Sequence, residues 1–209
     1  MKVVAFNGSP HKEGNTYHAI KLVADELNKA GVEVEIVHVG NKIIRGCLAC
    51  NGCRKNKNGK CVIDNDEVNE WILKMKEADG IILGSPVHYS AIPGTMKSFL
   101  DRAFYVASSG MLRHKVGASV VAVRRSGGVP TFEQLNNYIN YSEMLMPTSN
   151  YWNVIHGTKP GEVLEDEEGK QIMRVLGKNM AWLMKLAEHG KETIIPEERE
   201  EKVFMNFIR

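Results

Sequence analysis

The stretch that decides the fold is the beginning of the chain, MKVVAFNGSPHKEGNT (residues 1–16). Val3 to Phe6 form a continuous apolar run, as expected for a β-strand that is buried on both faces of a parallel sheet. A loop of small and polar residues follows at once, and then Ile20, Val23 and Leu27 recur at helical spacing. A buried strand, a glycine-containing loop and an amphipathic helix, in this order, predict the first unit of an α/β protein.

The same alternation continues to about residue 190. Val32, Val34 and Ile36 alternate with glutamates, which predicts a strand near a sheet edge. Three further strands are predicted over residues 80–84, 118–123 and 151–155. Four further helices are predicted to begin near residues 68, 96, 131 and 166. Five strands that alternate with five helices predict a doubly wound parallel sheet in three α/β/α layers.

Composition limits the class of protein. With 209 residues, 43% hydrophobic and 25% charged, the chain is expected to fold as one globular domain over residues 1–195, followed by a tail over 196–209. It contains no apolar run near the roughly 18 residues that span a bilayer. A net charge of +2 gives no reason to expect nucleic acid or an anionic membrane as a partner. The chain opens on a strand and not on a signal peptide, so a cytoplasmic location is expected.

Three loops follow predicted strands and have unusual compositions. They span residues 7–16, 84–94 and 124–128. In open α/β sheets, ligands bind beyond the carboxyl ends of the strands, so these loops are expected to converge on one ligand.

The first loop predicts a phosphate site. It offers hydroxyls at Ser9 and Thr16 and an amide at Asn15, and the free N–H groups of the next helix lie at its end. It matches neither the P-loop nor the Rossmann glycine pattern, which disfavours nucleoside triphosphates and dinucleotides. The alternative is an ordinary strand-to-helix turn.

The second and third loops predict a site for a planar group. Two prolines stiffen the second loop, which carries His88 and Tyr89. The third loop places Arg124 and Arg125 directly after a buried strand, a position that favours anionic or planar partners, and its glycines permit close backbone approach. The alternative for the second loop is a surface loop with an exposed histidine and tyrosine.

All four cysteines lie in one loop, residues 47–61, in the pattern Cys47-x2-Cys50-x2-Cys53-x7-Cys61. Four cysteines so close together suggest a metal or redox site and not a disulfide framework. Three cysteines two residues apart can wrap an iron–sulfur cube while the fourth arrives from a short loop, and the two separated knuckles of four-cysteine zinc sites are missing. A [4Fe–4S] cluster, free or redox-active thiols, and zinc all remain open.

Three of these stretches carry a resemblance to a known family. The opening N-G-S-P-x-x-x-G-N-T, the loop G-S-P-V-x-x-x-x-x-P-G with Lys97, Phe99, Asp101 and Arg102 after it, and the turn R-R-S-G-G resemble the flavodoxin-like NADPH-dependent FMN reductase family. The cysteine loop is most similar to that of its iron–sulfur flavoprotein branch. The resemblance covers about residues 1–190 and implies a flavodoxin-like sheet of strand order 2-1-3-4-5 that binds FMN.

The resemblance also implies a role for individual residues. The FMN phosphate would be held by Ser9, His11, Asn15 and Thr16. The isoalloxazine edge would be lined by Pro86, Val87, His88 and Tyr89, and the third side closed by Arg124, Ser126, Gly127 and Gly128. A [4Fe–4S] cluster would be bound by Cys47, Cys50, Cys53 and Cys61. No side chain is predicted to be a nucleophile or a general acid–base.

The implied function is an FMN-dependent oxidoreductase or electron-transfer flavoprotein. Its electron donor would be NAD(P)H or ferredoxin, and electrons would pass between a [4Fe–4S] cluster and FMN to a small acceptor such as a quinone or free flavin. The alternative is a non-enzymatic electron carrier or a thiol-based redox sensor that acts through a protein partner.

An excess of large apolar residues predicts a homodimer or a homotetramer built as a dimer of dimers, with the flavin near the interface. The residues in question are Phe104, Tyr105, Met111, Leu112, Met144, Leu145, Met146, Tyr151 and Trp152. The alternative is that all of them pack within one monomer.

Overall fold

The computed structural model of the protein describes residues 1–205 and 207. One sheet of five strands forms its centre, in the order β2-β1-β3-β4-β5, and every neighbouring pair is parallel. The strands are β1 (Lys2–Asn7), β2 (Glu33–His38), β3 (Gly80–Pro86), β4 (Val116–Val123) and β5 (Val154–His156). The predicted strand order is confirmed.

Helices cover both faces of the sheet. They are α1 (Asn15–Lys29), α2 (Gly52–Asn56), α3 (Val68–Glu77), α4 (Gly94–Ala107), α5 (Gly128–Tyr141) and α6 (Glu167–Gly190), and a short 3₁₀ helix spans Glu162–Glu165. The sequence predicted all of the longer helices. It did not predict α2, which has five residues and lies inside the cysteine loop.

The two hydrophobic cores follow from the alternation of side chains along buried strands. In β1, Val3 and Ala5 pack in the core on the side of α1 and α6. Val4 and Phe6 pack on the opposite side, against α3, α4 and α5. Because β1 is buried on both faces, its sequence is apolar throughout and not alternating.

Two observed boundaries differ from the predicted ones. β5 begins at Val154 and not near residue 151, although Asn153 directly before it also contacts β4: its backbone O accepts from Val121 N at 2.9 Å, and its side-chain Nδ2 donates to Ser119 O at 3.0 Å. α5 begins at Gly128, so Thr131 lies within the helix, where its Oγ1 donates to Gly127 O at 2.8 Å.

The nine apolar residues that predicted an oligomer divide into three groups, of which the first, Tyr105 and Met111, is half-buried. Phe104, Leu112 and Met144 are buried in the monomer's own core. Four others are partly or well exposed, namely Leu145, Met146, Tyr151 and Trp152.

The C-terminal tail contacts the domain mainly through polar groups. Arg199 Nε donates to Glu143 Oε1 at 3.0 Å, and Arg113 donates to Glu197 O at 3.0 Å. The apolar side chains of Phe204, Met205 and Phe207 are exposed, and Ile208 lies outside the described residues.

Within the part of the chain that the structure describes, none of the helices combines the length and hydropathy that crossing a bilayer requires.

Candidate functional site

The three loops singled out in the sequence meet at the carboxyl edge of the sheet. Gly8 N donates to Gly84 O at 2.8 Å, which joins the first loop to the second. A Cβ placed on Gly127 would lie 2.9 Å from Val87 Cγ1 and 2.8 Å from Ser90 Oγ, so the third loop packs directly on the second. The predicted convergence therefore exists in the folded chain, as expected for parallel strands.

The first loop is held in shape by its own buried side chains. Asn7 Nδ2 donates to Lys12 O at 3.0 Å, and Asn7 Oδ1 accepts from Ser9 N at 3.1 Å. Ser9 Oγ accepts from His11 N at 3.2 Å, which leaves the Ser9 hydroxyl hydrogen free to donate to a ligand. The His11 side chain is exposed at the tip of the loop, so it is the least constrained of the four predicted phosphate residues.

The start of α1 carries polar atoms that no group of the protein satisfies. Thr16 is 1% exposed, and its Oγ1 has no hydrogen-bond partner. Asn15 Oδ1 is likewise buried without a partner, and the amide can present either a donor or an acceptor. Gly14 at the N-cap supplies no side-chain cap, and the first turn contains no acidic residue.

A buried hydroxyl without a partner is costly in a folded protein. A helix N-terminus without acidic residues, next to donor side chains, suits an anionic group. These residues fit the phosphate of FMN.

The sequence analysis missed residues after β2 that support the first loop. A Cβ on Gly40 would lie 2.1 Å from Ser9 O and 2.4 Å from Gly8 O, so only glycine allows this approach. His38 Nε2 lies 2.8 Å from Ser9 O. The signal in the sequence was a lone glycine four residues after Ile36, the last residue of the predicted strand pattern, because glycine permits close backbone approach.

The second loop ends in a tight turn that presents Tyr89. His88 and Ala91 exchange two backbone hydrogen bonds, of 2.9 and 3.0 Å, around Tyr89 and Ser90. Both central residues have positive φ, 50° and 59°, a region that residues other than glycine rarely adopt. The His88 and Tyr89 side chains are exposed, while Pro86 and Val87 are half-buried. The loop thus combines two half-buried apolar residues, Pro86 and Val87, with the exposed aromatic ring of Tyr89, and this combination suits a planar ring system as ligand.

The third loop contributes mostly backbone. Gly127 has φ of 90° and is the N-cap of α5, and Gly128 is buried against Val154. Arg124, Arg125 and Ser126 are exposed. Because both arginines are solvated, their position does not by itself require an anionic partner, contrary to the reasoning from the sequence.

The four cysteines come together in one place. All are free thiols, and all line one small hollow of about 20 Å³, which is walled on its other side by Tyr105 and Val106 of α4. Cys47 and Cys50 are exposed, and Cys53 and Cys61 are half-buried. Burial is the largest cause that raises the pKa of the Cys53 thiol, and the nearby Cys61 and Cys47 add to it.

N–H groups already point at two of the thiols. Ala49 N donates to Cys47 Sγ at 3.4 Å, and Arg102 Nε donates to Cys61 Sγ at 3.4 Å. Within residues 1–205 and 207, no three cysteine, histidine or acidic side chains are arranged around a single ion. Four free thiols around one hollow match the ligand set of an iron–sulfur cube, which takes its thiolates on separate irons.

Arg102 is one of two side chains that hold this loop; the other is Asn69, which bonds the backbone of Cys61 and Ile63. Arg102 is 1% exposed and forms an ion pair with Asp66. Burial would lower the pKa of Arg102, but hydrogen bonds to Asp66 and Cys61 and attraction to both raise it above the ordinary value, so the guanidinium stays charged. In the sequence, Arg102 was noted only as part of a motif. Its position beside Ala103 on an otherwise apolar helix face was the available signal.

Comparisons with known proteins identify the family and the fold. A family model described as NADPH-dependent FMN reductase matches residues 1–159. An iron–sulfur flavoprotein of Methanocaldococcus jannaschii is 36% identical over 193 residues, which are 89% of this chain and 98% of that protein.

Two solved structures are similar in fold. RosB with bound 8-demethyl-8-formylriboflavin-5'-phosphate matches with a TM-score of 0.72 at 16% identity, over 100% of this chain and 94% of the other. A flavodoxin from the domain Archaea matches with a TM-score of 0.59 at 17% identity, over 88% of this chain and 99% of the other. The predicted flavodoxin-like fold is confirmed.

Proposed function

This chain belongs to the NADPH-dependent FMN reductase family, and we propose that it passes electrons between a [4Fe–4S] cluster and FMN and on to a small acceptor such as a quinone or free flavin. One observation carries the proposal: four free thiols line a single hollow against α4, the helix that begins at the second loop of the flavin site. The M. jannaschii relative is named an iron–sulfur flavoprotein, which supports the same combination. The family also agrees with the prediction of FMN as cofactor.

The first loop is proposed to bind the phosphate. The Thr16 hydroxyl donates to a phosphate oxygen and so gains the partner that it lacks in the protein alone. Ser9, His11 and Asn15 contribute further donors at the start of α1, where the helix dipole favours negative charge.

The second and third loops are proposed to orient the ring. Pro86 and Val87 form an apolar floor that excludes water, and His88 and Tyr89 form its rim. Arg124, Ser126, Gly127 and Gly128 close the remaining side, chiefly through backbone N–H groups at the start of α5. Bound FMN supplies electron- and hydride-transfer chemistry that no side chain provides.

The cysteine loop is proposed to hold the cluster through Cys47, Cys50, Cys53 and Cys61. Such a cluster supplies single-electron exchange. α4 sets the spacing of the two sites, because Gly94 at its start and Arg102 against Cys61 are separated by about 12 Å along the helix axis.

The charge around the thiols supports a protein donor. The cysteine loop and the residue before it carry five exposed cations, and in the described part of the chain none of the five forms an ion pair: Arg45, Arg54, Lys55, Lys57 and Lys60. No acidic residue occurs between residues 41 and 63. Such a face attracts an acidic partner over several ångströms, so of the two predicted donors we favour ferredoxin at this face.

A second candidate function is a thiol-based redox sensor. The observation that favours it is the exposure of Cys47 and Cys50, since oxidation needs accessible thiols. For assembly, we propose a homodimer or homotetramer through the exposed residues Leu145, Met146, Tyr151 and Trp152.

The test is anaerobic purification, iron and sulfide reconstitution, and analysis of bound groups. We expect about one FMN, about four irons and about four sulfides per chain. Reduced ferredoxin should reduce the protein at a rate that falls steeply with ionic strength. A chain that binds FMN but no iron after reconstitution contradicts the cluster and favours the sensor, and a chain that binds no flavin contradicts the whole proposal.

A further inference from the structure

Arg102 connects three parts of the molecule through one buried guanidinium. Its Nη2 donates to Ile63 O at 2.8 Å and to Asp66 Oδ1 at 3.1 Å, and its Nη1 donates to Arg45 O at 3.3 Å and to the second oxygen of Asp66. Arg45 and Ile63 stand at the two ends of the segment that carries all four cysteines. A single side chain on α4 therefore closes the cysteine loop at its base.

The remaining donor of Arg102 points at a thiol. Nε lies 3.4 Å from Cys61 Sγ, and among the described residues Cys61 is the only cysteine that receives a hydrogen bond from a charged side chain. Cys47, by comparison, receives one from the backbone N–H of Ala49. The two ends of the cysteine pattern thus lie in different electrostatic surroundings.

The charge of Arg102 is largely balanced by its partner. The Asp66 side chain is only 7% exposed and binds two nitrogens of the guanidinium. Cys61 therefore interacts with the Nε–H group of Arg102 and with the part of the guanidinium charge that Asp66 does not neutralise. Any change in Asp66 therefore changes the field at Cys61 without a change in the donor itself.

We propose that Arg102 is a positioning residue that closes the cysteine loop and raises the reduction potential of the cluster through its hydrogen bond to Cys61. This inference rests on the proposed function, because it requires the cluster. Reduction adds negative charge to the cluster and its thiolates. A donor on a ligating sulfur stabilises that charge, and hydrogen bonds to sulfur are among the factors that set cluster potentials.

Asp66 is expected to act in the opposite direction. Asp66→Asn removes the counter-charge and leaves the Arg102 guanidinium in place, so it should raise the potential. Arg102→Gln removes the charge and weakens the donor, so it should lower the potential. Arg102→Lys keeps the charge but loses the planar fork, and its potential should lie between that of Arg102→Gln and the unchanged protein.

The experiment is a redox titration of the reconstituted cluster, followed by electron paramagnetic resonance, with iron counted in each sample. Arg102→Gln should shift the equilibrium constant for reduction about tenfold toward the oxidised form, which is about 59 mV for a one-electron couple. The paired variant, Asp66→Asn with Arg102→Gln, removes both charges together and keeps polar groups at both positions. It provides a sample if the single variants fold poorly, and it should also lower the reduction potential of the cluster. Arg54→Gln, which removes an exposed cation near the same thiols, is the matched control and should shift it much less.

Opposite shifts in Asp66→Asn and Arg102→Gln support the inference. Iron-loaded variants whose potentials do not move, or move in the same direction, overturn it and leave the cluster proposal intact. An unchanged protein that binds no iron overturns both. Hydrogen exchange of the FMN-loaded, iron-free protein tests separately whether Arg102 closes the cysteine loop. In the paired variant, the amides of residues 45–63 should lose protection from exchange, while those of α4 should keep theirs.

Discussion

The two candidate sites are held in place in different ways. The flavin loops begin at the ends of buried strands, and their contacts to one another are short backbone contacts, such as Gly8 N to Gly84 O at 2.8 Å. The cysteine loop is mostly exposed, contains only the five-residue α2, and is closed by the side chains of Arg102 and Asn69. A site built on strand ends is formed before its ligand arrives, whereas a site on a long loop depends on a few side chains and on the group it binds.

The largest effect is expected where the cysteine loop depends wholly on its ligands. Cys61→Ser should lower the iron content from about four per chain to less than about one, since each thiolate fills one position on the cluster. FMN content should not change, because none of the three flavin loops contains a cysteine. Iron and flavin analysis after anaerobic reconstitution measures both. Lys60→Gln, a change in the exposed neighbour, is the control, and loss of flavin in Cys61→Ser would contradict the independence of the two sites.

A substitution that forces a backbone clash at Gly40 should show how rigidly the first loop of the proposed flavin site is held. Gly40→Ala places a Cβ 2.1 Å from Ser9 O, so we expect about 3 kcal/mol of lost stability and weaker FMN binding. Urea unfolding and flavin titration measure the two effects. Gly46→Ala is the matched control, because Gly46 lies outside the three flavin loops and a Cβ there meets only Ser98 Oγ, at 3.7 Å. Equal effects of the two substitutions would mean that the loop after β2 does not support the first loop.

Thr16 separates ligand binding from folding. Thr16→Ala should weaken FMN binding by about 1.5–3 kcal/mol, because a hydrogen bond to a charged group is lost. The same change should leave the flavin-free protein as stable as before or more stable, since it removes a buried hydroxyl without a partner. Flavin titration and thermal unfolding of flavin-free protein give the two values. Thr16→Ser, which keeps the hydroxyl, should bind FMN nearly normally; weakened stability of the flavin-free alanine variant would indicate an internal partner instead.

The smallest expected effect is a loss of stability at high pH, and it concerns the contact between Tyr138 of α5 and Asp101 of α4, the helix that links the two sites. Burial and a hydrogen bond to Asp101 at 2.5 Å raise the pKa of Tyr138 to about 12, above its unfolded value of 10.0. The folded state therefore prefers the neutral phenol, and the stability from this difference is present below pH 10 and lost as the pH rises from 10 toward 12. Between pH 9 and pH 11.5, roughly 1–2 kcal/mol should be lost from the free energy of unfolding, and Tyr138→Phe should lose less. Identical pH profiles for the two proteins would contradict this assignment.

Much of the fold could be predicted because local pattern and global architecture agree. The apolar run of β1, the helical spacing in α1 and the regular alternation that follows predicted the sheet, its layers and, with the family resemblance, its strand order. Thr131 shows where this reasoning ends. Its residue type indicates a helix cap, yet α5 starts three residues earlier, because Gly127 at φ of 90° turns the chain into the helix. Local composition does not distinguish the two starting points.

The sequence by itself determined the doubly wound fold, the three loops of the proposed flavin site and the pattern of four thiols. These depend on periodicity and on residue types close together in the chain. Only the tertiary structure decided that Gly40 supports Ser9, that Arg124 and Arg125 are exposed, and that Arg102 closes the cysteine loop. The physical reason is distance along the chain. Arg102 and Cys61 are 41 positions apart, and their contact exists only because α4 packs beside the loop.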